Sequence, residues 1–180
     1  AYLIIANRNP IQLNLLLNTL DDSRNDIYLL IDKKSINKFY NIFKPMYSSL
    51  YMIDPIDIYW GNYSLISAEL KLFTSSKDGN YDYYHLLSGL DLPLVNQDVI
   101  HNFFDAHLNK EFITYSAAFS PKQLAMRLHK YHFASSFRTT SKMMHYYHRL
   151  EMKLYSKLPQ RRISFSKIAF GSNWVSLDQD

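Results

Sequence analysis

Residues 1–32 read AYLIIANRNPIQLNLLLNTLDDSRNDIYLLID, in which two apolar runs flank a stretch with helical spacing. The runs Ala1–Ala6 and Asp26–Ile31 are short and almost continuously apolar, as in strands that are buried on both faces of a parallel sheet. Between them, Asn9 can cap a helix, Pro10 suits its first turn, and leucines recur every three or four residues. The stretch therefore predicts a βαβ unit.

The rest of the chain continues the alternation of strands and helices. Strands are predicted at Tyr51–Ile53, Ile58–Tyr59, Tyr83–Leu87, Glu111–Tyr115, Ile168–Phe170 and Trp174–Leu177, and helices at Ser35–Phe43, from a cap at Ser64 to Phe73, from a cap at Asn96 to Phe104 and over Pro121–Leu158. This order predicts an α/β fold with a mostly parallel sheet flanked by helices, in a single domain over residues 1–180.

The basic charge of the chain is concentrated in one segment. The chain holds 20 Lys and Arg against 16 Asp and Glu, a formal net charge of +4. Ser116–Phe170 alone holds eleven Lys and Arg and one acidic residue, Glu151, so the segment carries +10 and the remainder −6. One basic stripe on its predicted helix comprises Lys142, His145, Arg149, Lys153 and Lys157. A non-enzymatic module that binds nucleic acid, acidic glycan or anionic lipid is therefore a competing hypothesis.

The composition excludes some kinds of site. The chain has no cysteine, so it has no disulfide, no thiolate zinc site and no cysteine nucleophile. The absence of cysteine also favours a reducing compartment. The longest apolar runs are far too short to cross a bilayer, and we therefore expect a soluble protein.

Polar residues follow three of the predicted strands at their carboxyl ends. These positions are Asn7-Arg8, Asp32-Lys33 and the turn Ser88–Asp91. Open parallel sheets bind ligands at the carboxyl ends of their strands. The sequence therefore predicts a ligand-binding rim made from these three segments.

Five blocks of the sequence resemble the core-2/I-branching β-1,6-N-acetylglucosaminyltransferase family, with bacterial members nearest. They follow the order and spacing of that family over nearly the whole chain, which is more specific than any single motif. The blocks are AYLIIANRNP at Ala1–Pro10, NDIYLLIDKKS at Asn25–Ser35, YWG at Tyr59–Gly61, YYHLLSGLDLPL at Tyr83–Leu94 and GSNW at Gly171–Trp174.

The resemblance implies a GT-A-like, Rossmann-like fold and an inverting glycosyltransferase. It implies transfer of a sugar, most often N-acetylglucosamine, from a UDP donor to a hydroxyl of a glycan or lipid-linked glycan, with no metal or other cofactor. Residues 1–115 are then the nucleotide-sugar-binding part, 116–170 a basic helical part facing the acceptor or membrane, and 171–180 the start of the catalytic C-terminal part. We expect a cytoplasmic protein, peripheral at the inner face of a bacterial membrane, without a nucleic-acid partner. The alternative is a non-catalytic module that binds UDP-sugar or an anionic polymer.

The resemblance also assigns site residues, position by position. Donor-binding positions are Asn7, Asp32, Trp60, Gly61, Ser88, Gly89 and Asp91, and acceptor-binding positions are Ser172 and Trp174. From the cations of the basic segment, Arg127 and Arg138 are added as candidates for contact with the acceptor or a phosphate; a solvated helical face is the alternative for each. Asn7 stands where the family usually has His, so this position lacks a group that becomes cationic near neutral pH. The carboxylate of Asp91 is equally compatible with a turn or cap. The family's general base is a Glu expected beyond Asp180, so no catalytic residue is assigned.

Metal binding has weak support in the sequence. His129/His132 and His145/His148 have helical spacing, but no carboxylate pattern accompanies them. The D-x-D sequence Asp178–Asp180 lies past the donor-binding strands, and we interpret it as coincidental.

Overall fold

The computed structural model describes residues 1–59, 61–116, 120, 142–155 and 170–179. The strands are β1 (Tyr2–Ala6), β2 (Asp26–Ile31), β3 (Ser49–Ile53), β4 (Tyr83–Ser88), β5 (Phe112–Tyr115) and β6 (Gly171–Asp178). The α-helices are α1 (Pro10–Thr19), α2 (Tyr63–Ser76), α3 (Gln97–Asp105) and α4 (Lys142–Tyr155), and short 3-10 helices occupy Lys33–Lys38 and Lys77–Gly79.

The strands form one six-stranded sheet in the order β3-β2-β1-β4-β6-β5. The pairs β1–β2, β2–β3 and β1–β4 are parallel, whereas β4 and β6 are antiparallel. The prediction of a mostly parallel α/β sheet is confirmed. The chain moves outward from β1 to β3 and then returns to the other side of β1, so the strand order reverses between β1 and β4. Such a reversal is where open α/β sheets form a ligand-binding crevice.

The core explains why the first 32 residues form a βαβ unit. Every residue of β1 is buried, and the leucines that recur along α1 are fully buried against one face of β1 and β2. Ala68 and Leu72 of α2 are also fully buried. A buried leucine side chain contributes about 1.5–3 kcal/mol relative to an exposed one, so these contacts fix the register of the central strands.

Two of the predicted helix caps are confirmed, and one is wrong. Asn9 accepts a hydrogen bond from Gln12 N at 3.2 Å, and Asn96 accepts one from Val99 N at 3.0 Å. Helix α2 begins at Tyr63, so Ser64 is not its cap. There the side chain of Asn62 accepts from Ser64 N at 2.9 Å, and the Ser64 hydroxyl instead accepts from Tyr59 N at 2.9 Å.

The predicted helix at Ser35–Phe43 is wrong, because a 3-10 helix over Lys33–Lys38 replaces it. The cause is a tertiary contact that the local pattern does not contain. The side chain of Asn14 donates to Asn41 O at 2.8 Å and accepts from Phe43 N at 2.8 Å. The backbone of this segment is thereby tied to α1 instead of continuing as a helix.

The predicted strand Ile58–Tyr59 is also wrong. Residues 58 and 59 are not in a strand, and Ile58 N donates to the carboxylate of Asp32 instead of to a neighbouring strand. Within the predicted helix Pro121–Leu158, residues 142–155 form α4. Within the predicted strand Ile168–Phe170, Phe170 is not in a strand. The remaining residues of those two predictions lie outside the described part of the chain.

The chain divides into two compact units. One comprises Ala1–Ile58, Ile66–Ile113 and Asn173–Asp180, and the other comprises Tyr59–Leu65 and Thr114–Ser172. The ends of β1, β2 and β4 and the described residues that follow them lie in the first unit. In the described residues we find no helix with the length and apolar character that a membrane span requires.

Candidate functional site

The structure brings the three predicted rim segments together. Strands β1, β2 and β4 are adjacent and parallel, so their carboxyl ends lie at the same edge of the sheet. Two backbone hydrogen bonds extend this pairing past the strand ends. Asp32 N donates to Ala6 O at 2.8 Å, and Gly89 N donates to Ile5 O at 2.9 Å. The segments that follow β2 and β4 are therefore both fixed to β1, on either side of it.

Asp32 organises the rim. Its side chain is buried, with 4% of the residue exposed. Its Oδ1 atom accepts from Lys34 N at 3.2 Å, from Lys34 Nζ at 2.9 Å and from Ile58 N at 3.3 Å. The carboxylate thus caps the 3-10 helix that follows β2 and holds the chain that follows β3. A buried carboxylate needs such donors, and here they also fix its position.

The turn Ser88–Asp91 is closed by its own side chains. Ser88 N donates to Asp91 Oδ2 at 2.7 Å, and Leu90 N donates to Ser88 Oγ at 3.2 Å. Gln12 in the first turn of α1 donates through Nε2 to Leu90 O at 3.3 Å. The Asp91 carboxylate therefore closes the turn through its Oδ2 atom, as the turn interpretation of this residue predicts. These bonds attach the loop after β4 to the beginning of α1.

Gly89 has a packing reason to be glycine. A Cβ atom at this position would lie 2.8 Å from Ala6 Cβ, 3.3 Å from Ala6 Cα and 3.4 Å from Leu13 Cδ1. The missing side chain is therefore replaced by residues of β1 and α1. Because Gly89 has no side chain, the backbone of the turn can lie close to β1. The predicted contact between Gly89 and a donor stays a prediction.

The end of β1 supplies positive electrostatic potential to the same rim. Asn7 and Arg8 are exposed, so Arg8 presents a cation here. Asn9 adopts a left-handed conformation, with φ 55° and ψ 71°, and α1 begins directly after it. A helix N-terminus carries a partial positive charge, which favours anions. Because Pro10 has no N–H and Gln12 N donates to Asn9, α1 contributes here mainly through this dipole. Arg8 and the start of α1 together make this part of the rim suited to a phosphate-bearing ligand.

Glu69 is a candidate that the sequence analysis missed. Strand β6 runs antiparallel to β4, so its first residues lie at the end of the sheet where β4 finishes. There Asn173 Nδ2 donates to Glu69 Oε1 at 3.1 Å. Burial raises the pKa of the half-buried Glu69 carboxyl, and the hydrogen bond from Asn173 offsets part of that effect. Trp174, the next residue, is 38% exposed. One sequence signal could have identified Glu69: it is a lone carboxylate next to Ala68, on the apolar side of α2.

Gly61 and Ser172 belong to the second unit, and both are exposed. Gly61 has a φ of 69°, a conformation that favours glycine, and a Cβ here would meet nothing within 4 Å. Ser172 follows Gly171, and a Cβ added at Gly171 would collide with the carbonyl oxygen of Thr114. Gly171 is therefore needed for close pairing of its strand with Thr114.

The remaining predicted site residues lie outside the described part of the chain: Trp60, Arg127 and Arg138. The same holds for His129, His132 and Asp180 among the metal-binding patterns. In the part of the chain that the structure describes, no three His, Asp or Glu side chains are grouped to hold a metal ion.

Comparison with protein families agrees with the fold. The model of the core-2/I-branching enzyme family matches residues 1–180. A search of curated proteins found no match to the chain. The family has a GT-A-like fold and consists of glycosyltransferases, which accounts for the α/β sheet. The chain belongs to the core-2/I-branching enzyme family of glycosyltransferases.

Proposed function

We propose that the protein is an inverting, metal-independent glycosyltransferase that transfers N-acetylglucosamine from UDP-N-acetylglucosamine to a hydroxyl of a glycan acceptor. Family membership over residues 1–180 is the observation that carries the proposal. The polar rim at the strand-order reversal supports it, because this is where nucleotide ligands bind to open α/β sheets.

In this proposal the rim residues divide the work of binding the donor. Asp32 is positioned at the end of β2, where a carboxylate can accept from ribose hydroxyls or the uracil N–H. Arg8 and the N-terminus of α1 provide positive potential for the diphosphate. Trp174 presents an aromatic surface on which a sugar ring can stack.

The chemistry requires two further contributions. The acceptor oxygen attacks the anomeric carbon as the bond to UDP breaks, and a carboxylate takes the proton from the acceptor hydroxyl. Cationic side chains in place of a metal ion stabilise the departing diphosphate. Arg127 and Arg138 are proposed for contacts with the acceptor or phosphate.

Calorimetric titration tests the donor site. The protein would be titrated with UDP, UDP-N-acetylglucosamine, UDP-glucose and UDP-xylose, in EDTA and then with manganese. We expect binding in EDTA that manganese does not strengthen, with the tightest sugar nucleotide naming the donor. Binding that requires manganese would contradict metal independence. Absence of binding to every nucleotide would contradict the donor site itself.

The alternative of an anionic-polymer-binding module has one structural observation in its favour. On α4, exposed basic side chains follow each other at helical spacing: Lys142, His145, Arg149 and Lys153. Such a stripe suits a polyanion. A salt-sensitive shift with nucleic acid in the absence of UDP binding would favour this alternative over the glycosyltransferase.

The same helix supports a peripheral position at the inner face of a bacterial membrane, where lipid-linked acceptors are found. Beside the basic stripe, α4 exposes an apolar stripe with spacing of four, three and four residues: Met143, Tyr147, Leu150 and Leu154. Tyr147 is 52% exposed and Leu154 is 58% exposed. Interfacial helices combine an apolar stripe with flanking Lys and Arg, whereas nucleic-acid binding needs only the charges.

Vesicle co-sedimentation tests this location. The protein would be mixed with two kinds of vesicle, one of phosphatidylcholine alone and one in which about a third of the lipid is phosphatidylglycerol. Both would be tested in low and in high salt. We expect salt-sensitive binding to the anionic vesicles that either Arg149→Glu or Leu154→Ser reduces. Equal binding of Leu154→Ser and the unchanged protein would contradict an interfacial role for the apolar stripe.

A further inference from the structure

The contact between Glu69 and Asn173 joins two elements at the rim of the candidate site. Glu69 lies on α2 and Asn173 at the beginning of β6, and their side chains are 3.1 Å apart. Side chains alternate between the faces of a strand, and residues directly opposite each other on paired strands share a face. Tyr84 lies opposite Leu177 and packs near Phe73 of α2, so Leu177, Val175 and Asn173 belong to the face that α2 covers.

Ser88 is on the same face of the sheet. It lies four positions after Tyr84 along β4, so its side chain is on the same face, and it lies at the end of the sheet where β6 begins. Its hydroxyl oxygen accepts from Leu90 N, which leaves the hydroxyl proton available as a donor. A carboxylate, an amide and a hydroxyl therefore occupy one end of one sheet face.

The chemistry of this group suits a polyhydroxylated ligand. A carboxylate accepts from two hydroxyls, and an amide both donates and accepts, so the set satisfies neighbouring sugar hydroxyls. Oε1 of Glu69 is oriented by Asn173, which fixes the carboxylate before a ligand arrives. Burial disfavours the ionised form of Glu69, so hydrogen bonds from a ligand to that form would be strengthened by the reduced contact with water.

We propose that Glu69, held by Asn173, binds hydroxyl groups of the transferred sugar of the donor and so discriminates a sugar nucleotide from the bare nucleotide. This inference rests on the proposed function, because it requires the diphosphate to bind at the same rim. It assigns Glu69 to substrate binding and leaves the general base elsewhere.

The test measures the ratio of the Kd for UDP to the Kd for the tightest sugar nucleotide. Glu69→Gln keeps the size of the side chain and its contact with Asn173 but removes the charge. We expect the ratio to fall on the order of tenfold in Glu69→Gln, since a hydrogen bond to a charged group is worth that much more than a neutral one. The Kd for UDP should not change.

A matched control is Glu111→Gln. Glu111 lies beside Asp178, which is paired with Tyr83 at the beginning of β4, so it is at the opposite end of the sheet. Desolvation and the neighbouring Asp178 carboxylate raise the pKa of Glu111. The control makes the same Glu-to-Gln exchange at an exposed position away from the candidate site. Glu111→Gln should leave the ratio unchanged. If Glu69→Gln does not fold, Asn173→Ala removes the orienting bond and is expected to lower the ratio in the same direction.

The outcomes separate this inference from the proposed function. UDP binding with a ratio that Glu69→Gln leaves intact would overturn the role of Glu69 and keep the donor site. Equal affinity of the unchanged protein for UDP and for every sugar nucleotide would also overturn the role of Glu69 and keep the donor site. Failure of the unchanged protein to bind UDP would overturn both.

Discussion

Gly89→Ala tests whether the turn Ser88–Asp91 is positioned by contact with β1. The new methyl group would lie 2.8 Å from Ala6 Cβ, closer than the 3.4 Å at which ordinary contact begins, and both residues are buried. Gly89 does not have a positive φ, so alanine adds no backbone strain and even gains about 0.4–1 kcal/mol from the unfolded state. Overpacking costs about 1–3 kcal/mol, so we expect a net loss of about 1–2 kcal/mol in the free energy of unfolding.

Ala6→Gly provides the matched second substitution, because it removes the methyl group that the new one would meet. Alone it should cost about 1–2 kcal/mol, from the lost methyl and the flexibility of glycine in a strand. The double variant should be more stable than the sum of the two effects predicts, by about 1 kcal/mol. Urea unfolding followed by circular dichroism measures all four proteins. Strict additivity, or an unchanged midpoint for Gly89→Ala, would refute the packing explanation.

Three further predictions concern other polar contacts. Although burial opposes the effect, the backbone N–H groups of Met46, Ser48 and Tyr47 lower the pKa of Asp21 below its usual value. The stability that Asp21 contributes is present above its unfolded-state pKa of about 4 and is lost as the pH falls through the lower folded value, so Asp21→Asn should flatten the acid side of a stability–pH profile. Asp32→Ala should lower the free energy of unfolding in urea by about 2–4 kcal/mol, because it removes the cap of the 3-10 helix and leaves Ile58 N unpaired. Asp32→Asn should lower it clearly less, so it is the better variant for testing nucleotide binding. Asn96→Ala should lose about 1 kcal/mol and Asn96→Ser almost nothing, since serine also caps helices; equal losses would argue against the cap.

The central fold could be predicted because its signals are local. The apolar runs of β1 and β2 and the leucine periodicity of α1 each occupy fewer than a dozen residues and lead to one arrangement. The rim followed from the same pattern, since parallel strands must end at one edge. Predictions failed where a distant side chain decided the local conformation. Asn14 determines the path of residues 41–43, and Asp32 holds the backbone at Ile58.

The candidate site was predictable only in part for the same reason. Asp32 and the Ser88–Asp91 turn stand directly after strands, so their placement follows from the strands alone. The proximity of Glu69 to Asn173 depends on two elements more than 100 residues apart in the chain, and the spacing of neither residue indicates it. Sequence patterns show which face a residue occupies, but not which side chain meets it from another element.

The position of β6 inside the sheet has a consequence for how the chain folds. Strands β3, β2, β1 and β4 are contiguous in the sheet and complete by residue 88, so they can pair while the rest of the chain is still being synthesised. Strand β5 is made next, but its neighbour in the sheet is β6, which begins at residue 171. Until β6 emerges, β4 has an open edge and β5 lacks its β6 partner. Closing that gap brings together segments far apart in sequence, which is slow, and the exposed edges can pair with other chains meanwhile.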